Sequence, residues 1–308
     1  MSIEFNKELY IDQCLLFFSF LFRKKQWSGF SNMDYTRWVN NFEHIEDGKY
    51  IATRILDFLL YYSEDDLLKL LDDAIMGIFE NEVVLPAQIE NSFSQLPSDI
   101  EFAVNDAISK TIVMPLIEDL MDPGASGPEI IRAVRNHFRP SIQTIFNHML
   151  SPTAKYERLI IVDDCIGSGE QCETFWTSAE ISQRKLLREW VKESGAKAYY
   201  VAVVGYRKTV QKLKHAYPDL EIICAEYIDD QHQVFSEKSR CWCDMDEQAW
   251  AARLIESKAN ENGIALKGHG GLSFAVALHK TIPDWSLPIL YKNKNDWKHL
   301  VERKTTYD

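Results

Sequence analysis

The sequence predicts an α/β domain built on a parallel sheet and preceded by an all-helical N-terminal region, and two observations carry that prediction. From about residue 96 onward, short β-branched apolar runs alternate with stretches of helical spacing, which implies parallel strands joined by right-handed crossovers. Over roughly the first ninety residues, apolar positions instead recur at three- and four-residue steps. The division is read as 1–95 and 96–308, with its junction in "LPAQIENSFSQLPSD", where prolines and polar residues interrupt the pattern.

In chain order, "CLLFFSFLF" is too short to span a bilayer and reads as a buried amphipathic helix with Phe17, Phe18 and Phe22 on its core face. Trp27, Trp38 and Phe42 follow in an aromatic-rich stretch, where such spacing favours core filling over a partner surface. "IATRILDFLLYY" has helical spacing, and "SEDDLLKLLDDAIMGIF" opens with Ser63 as N-cap and acids in its first turn. A winged-helix-like, partner-binding arrangement is an alternative for this region. Its basic cluster, "RKKQW", reads as the dipole-complementing end of a helix.

The second region begins with a strand in "TIVMPLIEDL", a turn in "DPGASGPE" and a helix in "EIIRAVRNHF". "RLIIVDDCIGSG" is the next strand and glycine turn, followed by a long helix that Gly195 stops. "KAYYVAVVGY" and "EIICAEYI" are further strands, with the helix "RKTVQKLKHA" between them.

Charge narrows the function. The chain carries 46 acidic and 34 basic side chains, a net −12, which opposes direct, extended nucleic-acid binding. The N-terminus "MSIEFNKELYIDQ" has acids where a secretory signal has a basic flank, so a cytoplasmic location without a membrane partner is expected. Six scattered cysteines are expected as reduced thiols. "CWC" follows Asp229, Asp230 and His232 but lacks a second matching pair, and no structural metal is expected.

The chemistry concentrates in "RLIIVDDCIGSGEQ", residues 158–171. Ligands of parallel α/β sheets collect at the carboxyl ends of strands, where Asp163 and Asp164 fall. Gly167, Ser168 and Gly169 follow as a turn whose backbone N–H groups converge at a helix start that favours an anion. A sugar phosphate suits both halves: its hydroxyls donate to the carboxylates and its phosphate accepts from the amides and Ser168. The aspartates would also favour Mg²⁺ or cationic character at an anomeric carbon. The plainer alternative is that Asp164 caps the helix and the glycines only close a βα turn.

"LIIVDDCIGSG" resembles the phosphoribosyl pyrophosphate motif of type I phosphoribosyltransferases. The resemblance implies a phosphoribosyltransferase-like domain, ribose contacts from Asp163 and Asp164 with Mg²⁺ held indirectly through them, and a 5′-phosphate cradled by Gly167, Ser168, Gly169, Glu170 and Gln171. Where that family commonly has a small residue and then threonine, this chain has Glu170 and Gln171, and an acid beside a phosphate is unfavourable unless it points away. Ser126, Gly127 and Arg132 are candidates for a pyrophosphate loop; a surface turn with a solvated arginine is the alternative.

Over most of the chain, "KGHGGLSFAVALHKTIPDWSLPILY", the upstream "GASG" and the helical N-terminus resemble phosphoribosyltransferase-like effectors of bacterial conflict and anti-phage systems, including retron loci. That resemblance makes His269 a candidate active-site contact and implies a defence role. In a retron, a reverse transcriptase and its RNA–DNA product would be partners. The expected function is transfer or cleavage of a ribosyl phosphate from phosphoribosyl pyrophosphate or a related nucleotide or sugar phosphate. The alternative is a catalytically degenerate nucleotide sensor or toxin subunit that acts through a protein or retron RNA–DNA partner.

Overall fold

The computed structural model describes residues 6–90, 96–117, 127–137, 142–279 and 281–303. In chain order the elements are α1 (Lys7–Arg23), α2 (Asn32–Asn40), α3 (Gly48–Asp57), β1 (Leu60–Tyr62), α4 (Glu64–Phe79), α5 (Leu85–Glu90) and α6 (Pro97–Ser109). Then come β2 (Thr111–Pro115), α7 (Gly127–His137), β3 (Gln143–Thr144), β4 (Arg158–Ile166), α8 (Glu170–Ser178), α9 (Leu187–Ser194) and β5 (Lys197–Tyr206). The remainder comprises α10 (Arg207–Ala216), β6 (Glu221–Ile228), α11 (Met245–Glu261), β7 (Val276–Leu278) and α12 (Pro288–Tyr291).

The chain packs as two compact units, one made of residues up to 66 together with those from 228 onward, the other of 67–227. The units therefore do not divide the chain at the expected 95/96 junction. The cause is pairing between opposite ends of the chain: β1 lies parallel to β7, with Leu60 opposite Val276 and Tyr62 opposite Leu278. "IATRILDFLLYY" consequently ends as a strand and not as helix. This two-stranded sheet is parallel, so it is not the hairpin of a wing.

Aromatics fill the first unit. Phe18, Trp38, Phe42 and Trp297 are buried in one cluster with Ile51, Ile55, Trp242, Ile255 and Ile289. Buried indole N–H groups need acceptors, and Trp38 and Trp297 both donate to the Ile289 carbonyl, at 2.7 and 2.9 Å. Phe17, expected inside, is exposed, because the buried face of α1 is the one carrying Cys14 and Phe18. Ser63 caps α4 as expected, exchanging hydrogen bonds with Asp66.

The second unit is an α/β domain on a five-stranded sheet of order β3-β2-β4-β5-β6, in which the β2/β3, β2/β4 and β4/β5 pairs are parallel. Leu159–Val162 of β4 and Ala198–Tyr206 of β5 are buried throughout, as continuous apolar runs in a sheet covered on both faces should be. The long helix expected after β4 is two helices, α8 and α9, broken at 179–186, where Gln183 and Arg184 take left-handed backbone conformations. Gly195 stops α9 in the left-handed region.

One carboxylate gathers the amino ends of β4 and β5. Glu82, in a π-helical turn over Glu80–Val84, accepts from Arg158 Nε at 2.6 Å and from Lys197 and the Tyr199 hydroxyl. Burial pushes the pKa of this carboxyl up, but the three donors outweigh it and hold it below the usual 4.5. A folded pKa below the unfolded one contributes stability that is complete above the unfolded value and is lost as pH falls through the folded one. The variant Glu82→Gln is expected to lose about 3 kcal/mol at neutral pH, with Glu82 and Arg158 largely buried. In urea denaturation, the gap between wild type and variant should hold at neutral pH and narrow as pH falls below the ordinary glutamate range.

Candidate functional site

In this strand order, β2 and β4 are neighbours, but the chain leaves β2 towards β3 on one side and β4 towards β5 on the other. Such a switch point opens a crevice outside the carboxyl ends of the two central strands. The β2/β4 ladder ends at Pro115 opposite Val162, with Leu116 N–H donating to the Val162 carbonyl at 2.9 Å. Asp163 is the next residue. The acidic pair thus lies where β4 outruns the β2 ladder and, among the described residues, pairs with β5, with Asp163 opposite Ala202.

Alternation along the strand sends the two aspartates to opposite faces. Asp163 is 4% exposed and accepts the Tyr200 hydroxyl on Oδ2 at 2.6 Å, while its Oδ1 accepts the Asp164 N–H at 2.9 Å. Tyr200 is opposite Ile161, two residues back along β4, which puts its ring on the same face as Asp163. Burial first, and then the Asp163 charge, hold the Tyr200 phenol far above its ordinary pKa, so it stays a proton donor. Asp164 is half-buried, on the face of β4 opposite Asp163 and Tyr200.

Nearby thiols are poor nucleophiles. Burial and then the Asp163 charge push Cys172 well up, and burial pushes Cys224 up to about 12 against an opposing pull from Lys214.

The glycine turn leads directly into α8. Gly169 has φ +84°, and a Cβ there would come within 2.6 Å of Thr209 Cγ2 and 3.1 Å of Leu213 Cδ1 on α10. Both backbone conformation and space therefore call for glycine, independently of any ligand. Ser168 is half-buried and accepts the Glu170 N–H at 3.4 Å. Glu170 and Gln171 are exposed at the start of α8, where a carboxylate suits the helix dipole. Glu173 in the next half-turn accepts from the Tyr217 hydroxyl at 2.7 Å and ties α8 to the end of α10.

Asp163, Asp164 and Gly167–Gln171 are therefore brought together as one continuous edge. Ser126 lies outside the described residues. Gly127 begins α7, which packs on β2 and β4. Arg132 is exposed on that helix and lines a recess of about 230 Å³ with Ile131, Arg135, Thr144, Ile145 and Phe146; neither aspartate lines it. His269 is exposed in the first unit, in a turn whose Gly268 has no room for a Cβ beside the Ser286 and Asp284 carbonyls. Among the described residues no cluster of three or more His, Cys, Asp or Glu could hold a metal. Cys241 is buried with its thiol on the Arg54 carbonyl, which agrees with a free thiol.

Tyr200 and Arg135 escaped the sequence reading. Tyr200 sits inside an apolar strand, and only the β4/β5 register reveals its partner.

A model of the PRTase-CE family matches residues 35–303. The chain belongs to that family. This makes it phosphoribosyltransferase-like at the level of family. No curated protein matches it. Among solved structures, the AQ2163 protein from Aquifex aeolicus is 14% identical, with 65% of this chain and 86% of that one covered and a TM-score of 0.31. Orotate phosphoribosyltransferase from Aeropyrum pernix is 11% identical, with 42% and 72% covered and a TM-score of 0.23. The α/β assignment of this PRTase-CE member rests on its own sheet. No helix among its described residues is long and apolar enough to cross a membrane.

Two stability outcomes follow from the site's construction. Tyr200→Phe leaves a buried carboxylate short of a donor and should lose about 1–3 kcal/mol by urea denaturation. Gly169→Ala should lose at least about 1–2 kcal/mol, because it adds left-handed strain to the contact with α10.

Proposed function

We propose that this PRTase-CE protein is an effector of bacterial anti-phage defence that binds phosphoribosyl pyrophosphate, or a related nucleotide or sugar phosphate, at the carboxyl edge of β4 and transfers or cleaves its ribosyl phosphate. The observation that carries the reading is one continuous segment at the sheet's switch point, in which an acidic pair is followed at once by the glycine-started helix α8. The defence role rests on the resemblance to conflict-system effectors.

In this reading, Asp164 accepts from ribose hydroxyls, and the first turn of α8 with Ser168 donates to the phosphate. Asp163 positions Asp164 through the hydrogen bond to its backbone N–H and is itself held by Tyr200. As the bond from the anomeric carbon to pyrophosphate breaks, an acceptor atom in transfer or a water in cleavage forms the new bond to that carbon. No covalent nucleophile from the protein is needed, and its part is orientation and negative charge beside a cation-like carbon. Mg²⁺ suits such a site, because it keeps several waters and takes one or two carboxylates beside substrate phosphates. Asp164 is the residue that would hold it. When bound, the ion neutralises charge on the leaving pyrophosphate.

A second reading, a degenerate sensor or toxin subunit acting through a protein or retron RNA–DNA partner, is favoured by two details. Both Asp163 oxygens are already engaged, and Glu170 places a negative charge at the start of α8.

Isothermal titration with phosphoribosyl pyrophosphate and Mg²⁺ is expected to give micromolar binding, weakened at least about tenfold in Asp164→Asn. Pyrophosphate release separates turnover from sensing, and phage plating with Asp164→Asn should show lost protection. A folded Asp164→Asn protein that binds as wild type does would refute the assignment of this edge.

A further inference from the structure

Helix α1 is apolar on two opposite faces. Its inner face buries Cys14 and Phe18, with Tyr10, Leu21 and Phe22 packed partly against the same core. At 100° per residue, Leu9, Leu16, Phe17 and Phe20 fall within an arc of about 100° that includes Gln13, with Leu9, Leu16 and Phe20 opposite the inner face and Phe17 at the edge nearest to it. They are 55, 73, 53 and 45% exposed. A stripe of large apolar side chains on one helix is unlike the scattered exposure of an ordinary surface.

Charge indicates what covers it. The first half of α1 carries exposed Glu8 and Asp12, and its end carries exposed Arg23, Lys24 and Lys25. Among the described residues, no ion pair engages any of these five. Asp12 and Arg23 flank the stripe on the same side, about 20° apart around the helix. Laid antiparallel on a second copy of itself, α1 sets the acids of each helix against the bases of the other and opposes the two helix dipoles. Laid parallel, it sets like charges together.

We propose that the outer face of α1 is a self-association surface, on which two copies of this chain pair through an antiparallel, two-fold α1–α1 contact centred near Leu16. A two-fold contact uses the same patch on both partners, and this patch is complementary to itself. An anionic membrane surface suits it less well, since Asp12 borders the stripe and the chain is strongly acidic. One pair of helices about 25 Å long buries less than the roughly 1,600 Å² of a standard interface, so dimerisation should depend on concentration in the micromolar range.

The test is sedimentation equilibrium of the full chain from low to high micromolar concentration. Wild type should shift from monomer to dimer, and Leu16→Glu should weaken the dimer at least about tenfold while circular dichroism stays unchanged. Arg23→Glu should weaken it, and adding Asp12→Lys to that variant should restore it. Wild type that stays monomeric at every concentration overturns the proposal, as does a dimer indifferent to Leu16→Glu. Monomeric protein that co-sediments with phosphatidylglycerol vesicles overturns it in favour of a membrane surface.

Discussion

The backbone ladder of strand β4 is the constraint on which the candidate site depends. Up to Val162 the strand has neighbours on both edges, so its backbone groups are paired and its side chains are buried on both faces. At Asp163 the β2 ladder has ended, and among the described residues the strand continues beside β5 to Ile166. A polar side chain is tolerable at that point because hydrogen-bond donors lie within reach, the Tyr200 hydroxyl and the Asp164 N–H. An acidic pair one step earlier would have put two carboxylates into the apolar centre of the sheet, where burial without partners is prohibitive.

Satisfaction of buried polar groups organises the rest of the second unit. Asp163 is accommodated by Tyr200 from the adjacent strand, and Glu82 by Arg158 at the start of β4 and by Lys197 and Tyr199 in the first residues of β5. β4 and β5 are thus fixed by side-chain bonds at Arg158 and Asp163 of β4 and at Lys197, Tyr199 and Tyr200 of β5, in addition to their ladder. Rigid strand ends are what a binding edge requires, since the geometry of its acceptors is then set before a ligand arrives.

The first unit shows a different economy. Its core joins α1–α3 to α11, β7 and α12 from the far end of the chain, and its sheet is a single parallel ladder between β1 and β7. Trp38 and Trp297, from those two ends, donate to one carbonyl. Contacts such as Phe18 with Trp27 are local, but those that join the two ends of the chain are non-local, and for them loop closure precedes the reward.

Much of the second unit was legible in the sequence. Strands β2, β4, β5 and β6 each read as an apolar run, Gly195 and Ser63 announced helix ends, and the acidic pair with its glycine turn marked the candidate edge. Local spacing could not show the break between α8 and α9, the outward turn of Phe17 or the pairing of β1 with β7. The sequence by itself determined the α/β character of the second unit and the chemical character of its edge, because strand and turn preferences are properties of neighbouring residues. Only the tertiary structure decided that Asp163 turns inward to Tyr200, that Arg132 shares its recess with Arg135, and that the chain's two ends build one core. Register and long-range pairing arise between residues far apart in sequence, and no local pattern encodes which of them meet.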